Sequence, residues 1–265
     1  MKRIIWCLPV LALSVAAVAA DRVTAAFSDP SRPCLLKVNL INGSIRVKGY
    51  SGKEVIVEAR TSNRDSERES REGLRRIPMS SSGLEVSEEN NVMSVGVGVP
   101  TRTVDLDIQA PVRTSLKLRT INDGEIRVEG VQGEIEANDI NGSVTLTNVS
   151  GSAVAHALNG RVTATFAQVD PQKPMSFSSL NGDIDVTLPA AIKANVKLKS
   201  DHGEVFSDFD ITTREAAGPV VEDSRSEKGR YRVRFDRAVY GTINGGGPEI
   251  QFSNFNGSIY IRKGK

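Results

Sequence analysis

Glu125, Glu134, Asp183 and Glu204 each follow a glycine directly. In a stacked β structure that position is an edge, where successive carboxylates stand about 5 Å apart. Such a ladder would bind a cation weakly. Polysaccharide lyases and hydrolases built on β-solenoids need more: carboxylates, often a cation, and a base, all converging on one face. The equivalent positions in neighbouring segments are Ser143, Ser152 and Arg161, so the row reads as a solvated edge. His156 and His202 share no metal-binding spacing. The alternation places His156 on an outward strand face and His202 in a turn, both at the surface. Gly245-Gly246-Gly247 neither follows a buried strand nor opens a helix, which excludes a phosphate loop. The sequence has no Gly-x-Ser-x-Gly elbow and no Cys/His pair. The expectation is therefore no enzyme, with no catalytic residues, no cofactor and no metal site. Asn-Gly-Ser at 42, 141 and 256 matches a glycosylation acceptor, but turn chemistry accounts for it equally well.

The elements that carry these residues follow from a repeat. Gly124, Gly133, Gly142, Gly151 and Gly160 are spaced by nine. Two residues after each come Ile126, Ile135, Val144, Ala153 and Val162. Four after come Val128, Ala137, Leu146, Ala155 and Ala164. Polar residues fill the places between, which marks a strand buried on one face. Val131, Ile140, Val149 and Leu158 recur at the seventh place and extend the apolar set. Each unit is thus a short strand and a turn. Asn-Gly also favours two-residue hairpins, so a meander competes. The constant period favours units that present identical faces and stack in parallel. Two units make an 18-residue coil. The fold class expected is all-β: a single parallel β-helix-like solenoid of nine-residue half-coils. The phrase recurs around Gly43, Gly182, Gly203 and Gly257, and Gly52 lies nine after Gly43. One continuous domain over 21–265 follows.

Two stretches break the pattern. Residues 62–78 are dense in both charges and predict a short solvated helix, capped at Ser62 or Asn63 and closed by Gly73 and Pro78. Residues 212–230 are polar with Gly and Pro, and predict a long loop.

The chain opens with Lys2-Arg3, an apolar run from Ile4 to Ala20, and small residues before Asp21. Residues 1–20 predict a cleaved signal peptide, leaving no stable membrane span. The chain has 34 basic and 32 acidic side chains. Lys2 and Arg3 leave with the signal, so the mature protein is neutral and nucleic acid is an unsuitable partner. Cys34 then has no intramolecular partner and is expected to be buried and inert.

The run Val104-Asp105-Leu106-Asp107-Ile108, then Leu116-Lys117-Leu118, the Asn-Gly repeats and the closing segment 241–261 resemble a known family. It is the bacterial β-strand-repeat "putative adhesin" family, a domain of unknown function, and the likeness spans about residues 35–263. The resemblance implies stacked β-coils, similar to autotransporter adhesin heads, in an exported envelope protein. It carries no catalytic residues. The leading expectation is a periplasmic, secreted or surface-located module that binds an envelope glycan, a surface polymer or a protein. Outward-facing Thr145, Thr147, Thr163, Thr165 and Thr187 are the candidate surface. The alternatives are an end-to-end polymerising structural protein, through open strand edges, and a polysaccharide-active enzyme.

Overall fold

The computed structural model describes residues 21–61, 81–99, 101–122, 124–214, 220–224, 230–234 and 238–265. A 20-stranded sheet winds around one hydrophobic core, with a separate two-stranded hairpin. Each coil contributes one strand to each of two faces. In chain order the first coils are β2 (Cys34–Asn39) with β3 (Ile45–Tyr50), β6 (Val92–Val97) with β7 (Val104–Pro111), and β8 (Thr114–Thr120) with β9 (Ile126–Glu129). Then β10 (Gln132–Asp139) leads into β11 (Val144–Ala157), whose second half leads into β12 (Val162–Val169). The last coils are β13 (Met175–Asn181) with β14 (Ile184–Leu188), β15 (Ala194–His202) with β16 (Val205–Ser207), and β21 (Glu249–Asn256) with β22 (Ile259–Lys263).

All pairings between coils are parallel. Val144 stands between Ile126 and Val162, and Ile135 opposite Ala153, an offset of one 18-residue coil each time. The solenoid reading therefore holds over the meander. The inward positions behave as the alternation requires: Ile126, Val144, Leu146, Val162 and Ile184 are fully buried. β11 passes from one face to the other at a corner where Asn148 (φ 52°) and Gly151 (φ 112°) take left-handed backbone. The seventh-place residues split by corner. Val131 and Val149 are buried, whereas Ile140 and Leu158 are partly exposed, so this position does not face inward uniformly.

The coils do not stack in chain order. One face runs β7–β3–β9–β11–β12–β14–β22–β16, and the other β6–β2–β8–β10–β11–β13–β21–β15. The first coil of the chain is thus inserted between the second and third, and the last coil between its two predecessors. Antiparallel strands occupy the outer positions. At one end β4 (Glu54–Thr61) pairs with β7, β1 (Asp21–Ala26) with β4, and β5 (Leu84–Glu89) with β6. At the other, β20 (Val239–Ile243) pairs with β15, and β17 (Thr212–Arg214) with β20. Connections at these ends use left-handed turns: Asn90 and Asn91 close the β5–β6 hairpin, and Asn244 to Gly246 lead from β20 past β15, which lies between the two strands, to β21. Gly52 lies in the turn into antiparallel β4, so its nine-residue spacing from Gly43 marks no coil.

The loop expected at 212–230 is corrected. It contains β17, and β18 (Val220–Ser224), which pairs antiparallel with β19 (Arg230–Arg234). Val220-Val221 and the alternation in Arg230-Tyr231-Arg232-Val233-Arg234 favour extended pairing over loop. The helix expected at 62–78 lies outside the described residues, and no helix occurs among those described.

Asn-Gly acts here in stacking. Side-chain amides of Asn122, Asn141, Asn159, Asn181 and Asn256 each donate from Nδ2 to Oδ1 of the asparagine in the adjacent coil, beginning at Asn42, over 2.8–3.2 Å. Each asparagine thereby pins the register of its coil against the next, as side-chain ladders do in stacked parallel strands. Asn159→Ala would break the bonds on both sides of one rung. The expected loss in chemical denaturation is about 1 kcal/mol, because water replaces part of what is removed at this exposed edge.

Candidate functional site

The five threonines lie on the outward side of the face formed by β9, β11, β12 and β14. Thr145 pairs with Thr163, and Thr165 with Thr187. Thr147 lies opposite Glu129, beside a register irregularity between β11 and β12, so the structure places the whole predicted set on one face without one unbroken second rung. Their neighbours in the same rungs come first from the adjoining coils and then from coils distant in sequence. Beyond Thr145 stand Arg127, Arg46 and Asp107; beyond Thr163 stand Asp185, Tyr260 and Phe206.

The two flanks differ in chemistry. On one side is a depression of about 380 Å³ lined by Arg46, Lys48, Asp107, Arg127, Glu129 and Thr147 among others. Its charges are matched: Arg46 with Asp107 (3.5 Å), Lys48 with Glu129 (3.3 Å), and Arg127 with Glu125 (2.6 Å). On the other side Phe206 and Tyr260 stack with centroids 5.3 Å apart and planes at 11°. Phe206 is 47% exposed. Arg262 lies over the Tyr260 ring and makes two hydrogen bonds to the Asp185 carboxylate. The charged and aromatic flanks escaped the sequence reading, although their position was available. Arg46, Arg127, Asp185, Phe206 and Tyr260 all sit three residues after a repeat glycine, as do Thr145 and Thr163.

The acidic row is not a cation ladder. Glu125 pairs with Arg127 and Arg46, Glu134 with Lys173, and Asp183 with Arg161. No cluster of three or more potential metal ligands occurs among the described residues. His156 Nδ1 meets Ser178 Oγ at 2.8 Å on an outward face, and His202 packs edge-on against Phe255. Cys34 is buried, its Sγ directed at the Arg32 carbonyl, and burial pushes the thiol up from its ordinary value. The asparagine corner carries an apolar ridge beside the amide ladder, in which Ile41, Leu180 and Phe255 are 38–45% exposed.

One ionisable group is out of place. Asp139 is 1% exposed, neither carboxylate oxygen completes a hydrogen bond, and burial pushes it up to about 7. The backbone amides of Asn141 and Gly142 face it closely enough to oppose that rise, without reaching bonding alignment.

Residues 35–236 match the model of the family described as Toastrack DUF4097. The chain belongs to that family. The expected kinship with adhesin-like domains of unknown function is borne out. The Toastrack match ends before β20, yet β21 and β22 carry the same repeat phrase and are inserted within the stack. Among solved structures, the chain is similar to a "putative cell adhesion protein" from Clostridium sporogenes ATCC 15579. Identity is 12% and the TM-score 0.43, over 93% of this chain and 100% of that one. It is also similar to a "putative adhesin" from Bacteroides fragilis NCTC 9343, at 9% identity and TM-score 0.43, over 92% and 97% of the respective chains. No curated protein matches the sequence.

Proposed function

We propose that the protein is an exported, non-enzymatic module of the bacterial envelope that binds a glycan polymer across its threonine face. The observation that carries this reading is the continuity of the Thr145–Thr163 rung, through Asp185, with the exposed Phe206–Tyr260 stack. Hydroxyls on a rigid sheet offer repeated donors and acceptors at fixed spacing. An aromatic plane at the end of the row offers a surface for the apolar face of a sugar ring. The adhesion-related names of the similar solved proteins agree with a surface or extracellular location. Export rests on residues 1–20, which lie outside the described residues.

The test is a glycan array probed with the secreted chain, followed by titration of the best ligand. Phe206→Ala with Tyr260→Ala, and separately Thr163→Lys, are expected to reduce affinity at least about tenfold with an unchanged melting temperature. An array on which nothing binds, or binding indifferent to both changes, would remove the proposal. A protein partner is the second reading, and the apolar ridge of Ile41, Leu180 and Phe255 favours it. End-to-end polymerisation gains less support, since antiparallel strands occupy outer positions at both ends of the stack.

A further inference from the structure

A column of residues runs through the asparagine corner, two positions before each ladder asparagine or its equivalent. Four of its members make the same bond. Thr120 Oγ1 donates to the Gly43 carbonyl (2.9 Å), Ser179 Oγ to Gly160 (2.9 Å), Asn254 Nδ2 to Gly182 (2.8 Å) and Ser200 Oγ to Gly257 (3.3 Å). Each time the acceptor is the repeat glycine of the adjacent coil on the side of β7. The strand register makes the column continuous: Thr120, Asp139, Ala157, Ser179, Asn254, Ser200. Asp139 therefore stands where its neighbours donate, and the acceptor assigned to it by the series is the Gly124 carbonyl.

The local geometry agrees. A Cβ built on Gly142 would lie 1.7 Å from the Gly124 oxygen and 2.7 Å from Asp139 Oδ2, so both oxygens crowd one point. An ionised carboxylate there has no proton to give and would face the carbonyl oxygen with like partial charge. It is buried without a partner, an expensive state for an anion. Among the described charged groups on the packed elements, Arg119 of β8, Glu136 of β10 and His156 of β11 stand on outward strand faces. Glu125 acts on Asp139 and has the same sign.

We propose that Asp139 is a neutral carboxylic acid in the folded protein, donating its O–H to the Gly124 carbonyl and completing the column. Burial, the largest influence on this group, supports the assignment by raising its pKa from 3.8 to about 7. The sign of the consequence follows. Between these two values the folded chain holds a proton that the unfolded chain has released. Stability is fully present near pH 4 and falls as pH rises towards 7, by about tenfold in the folding equilibrium per pH unit. The fold thus contains an element that weakens on alkalinisation.

The experiment is a carboxyl-carbon NMR titration of the whole chain labelled at aspartate, assigned with Asp139→Asn. One resonance titrating near 7 and missing in the variant supports the proposal; an Asp139 resonance titrating near 4 overturns it. Denaturation of both proteins at pH 5 and pH 8 is the second measurement. Asparagine supplies the N–H that Asn254 already uses, so Asp139→Asn should hold a constant midpoint while the wild type loses stability at pH 8. A wild-type midpoint equal at the two pH values would also overturn the proposal. Should Asp139→Asn fail to fold, Asp139→Ser, which carries the hydroxyl that Ser179 uses, assigns the resonance and serves as the comparison in denaturation.

Discussion

Gly142→Ala is expected to cost at least about 3 kcal/mol, more than an ordinary overpacking substitution, and to give a chain that folds poorly or not at all. Its new Cβ would lie 1.7 Å from the Gly124 carbonyl oxygen and 2.9 Å from the carbonyl carbon. These are backbone atoms of the adjacent coil. They retreat only if the strand spacing of about 4.8 Å opens locally. The same approach recurs along the stack: the Cβ position of Gly160 faces the Gly142 oxygen at 2.1 Å, and that of Gly182 faces the Gly160 oxygen at 2.4 Å. Gly130 is the control. It has φ +66°, but its Cβ would meet nothing within 4 Å, so Gly130→Ala should cost only the left-handed strain of about 1–2 kcal/mol. Urea denaturation of the two variants separates close approach from backbone conformation. Equal losses would mean that the close approach at Gly142 costs no more than the left-handed backbone at Gly130.

Leu146→Asp is expected to abolish folding, whereas Thr145→Asp is expected to be tolerated. The side chains are adjacent in sequence and face opposite ways: Leu146 is fully buried and Thr145 lies on the outward face. An aspartate at 146 would place an unpaired charge in the core. The milder Leu146→Ala should cost about 2–5 kcal/mol, and Thr145→Ala about 0.5 kcal/mol or less. Circular dichroism melts of the four variants settle it. A sensitive Thr145 beside an insensitive Leu146 would mean a register error of one residue.

Why coil geometry was legible while coil order was not has a physical reason. Alternation and a fixed glycine period are local, so Ile126, Val144 and Val162 could be set on one inward column from sequence alone. Which coil neighbours which depends on edges and connections. Every coil presents nearly the same face, so nothing in Ile45-Arg46-Val47 states that it sits between Leu106 and Ile126. The same limit applied to the site. The threonine rungs were visible because Thr145, Thr163 and Thr187 lie close in sequence. Tyr260 joined them only through an insertion that pairs it with Asp185, 75 residues earlier. Asp139 was overlooked because its column closes the inward alternation with polar residues, Thr120 and Ser179 among them. Only burial distinguishes a carboxyl there from a hydroxyl.

The insertion of the terminal coils bears on how the molecule comes apart and together. A solenoid stacked in chain order can fray by peeling a terminal coil from one neighbour. Here β2 and β3 are each hydrogen-bonded on both edges, as are β21 and β22. Amides of these strands should exchange with solvent as slowly as those in the middle of the stack, while the outlying antiparallel strands exchange first. Assembly carries the complementary burden. Ile45 must find Ile126, and Ile184 must find Ile259, across long intervening chain, so assembly requires sequence-distant closures of the kind that slow folding. During synthesis, the N-terminal coil emerges well before β8 and β9 arrive to cover its second edge.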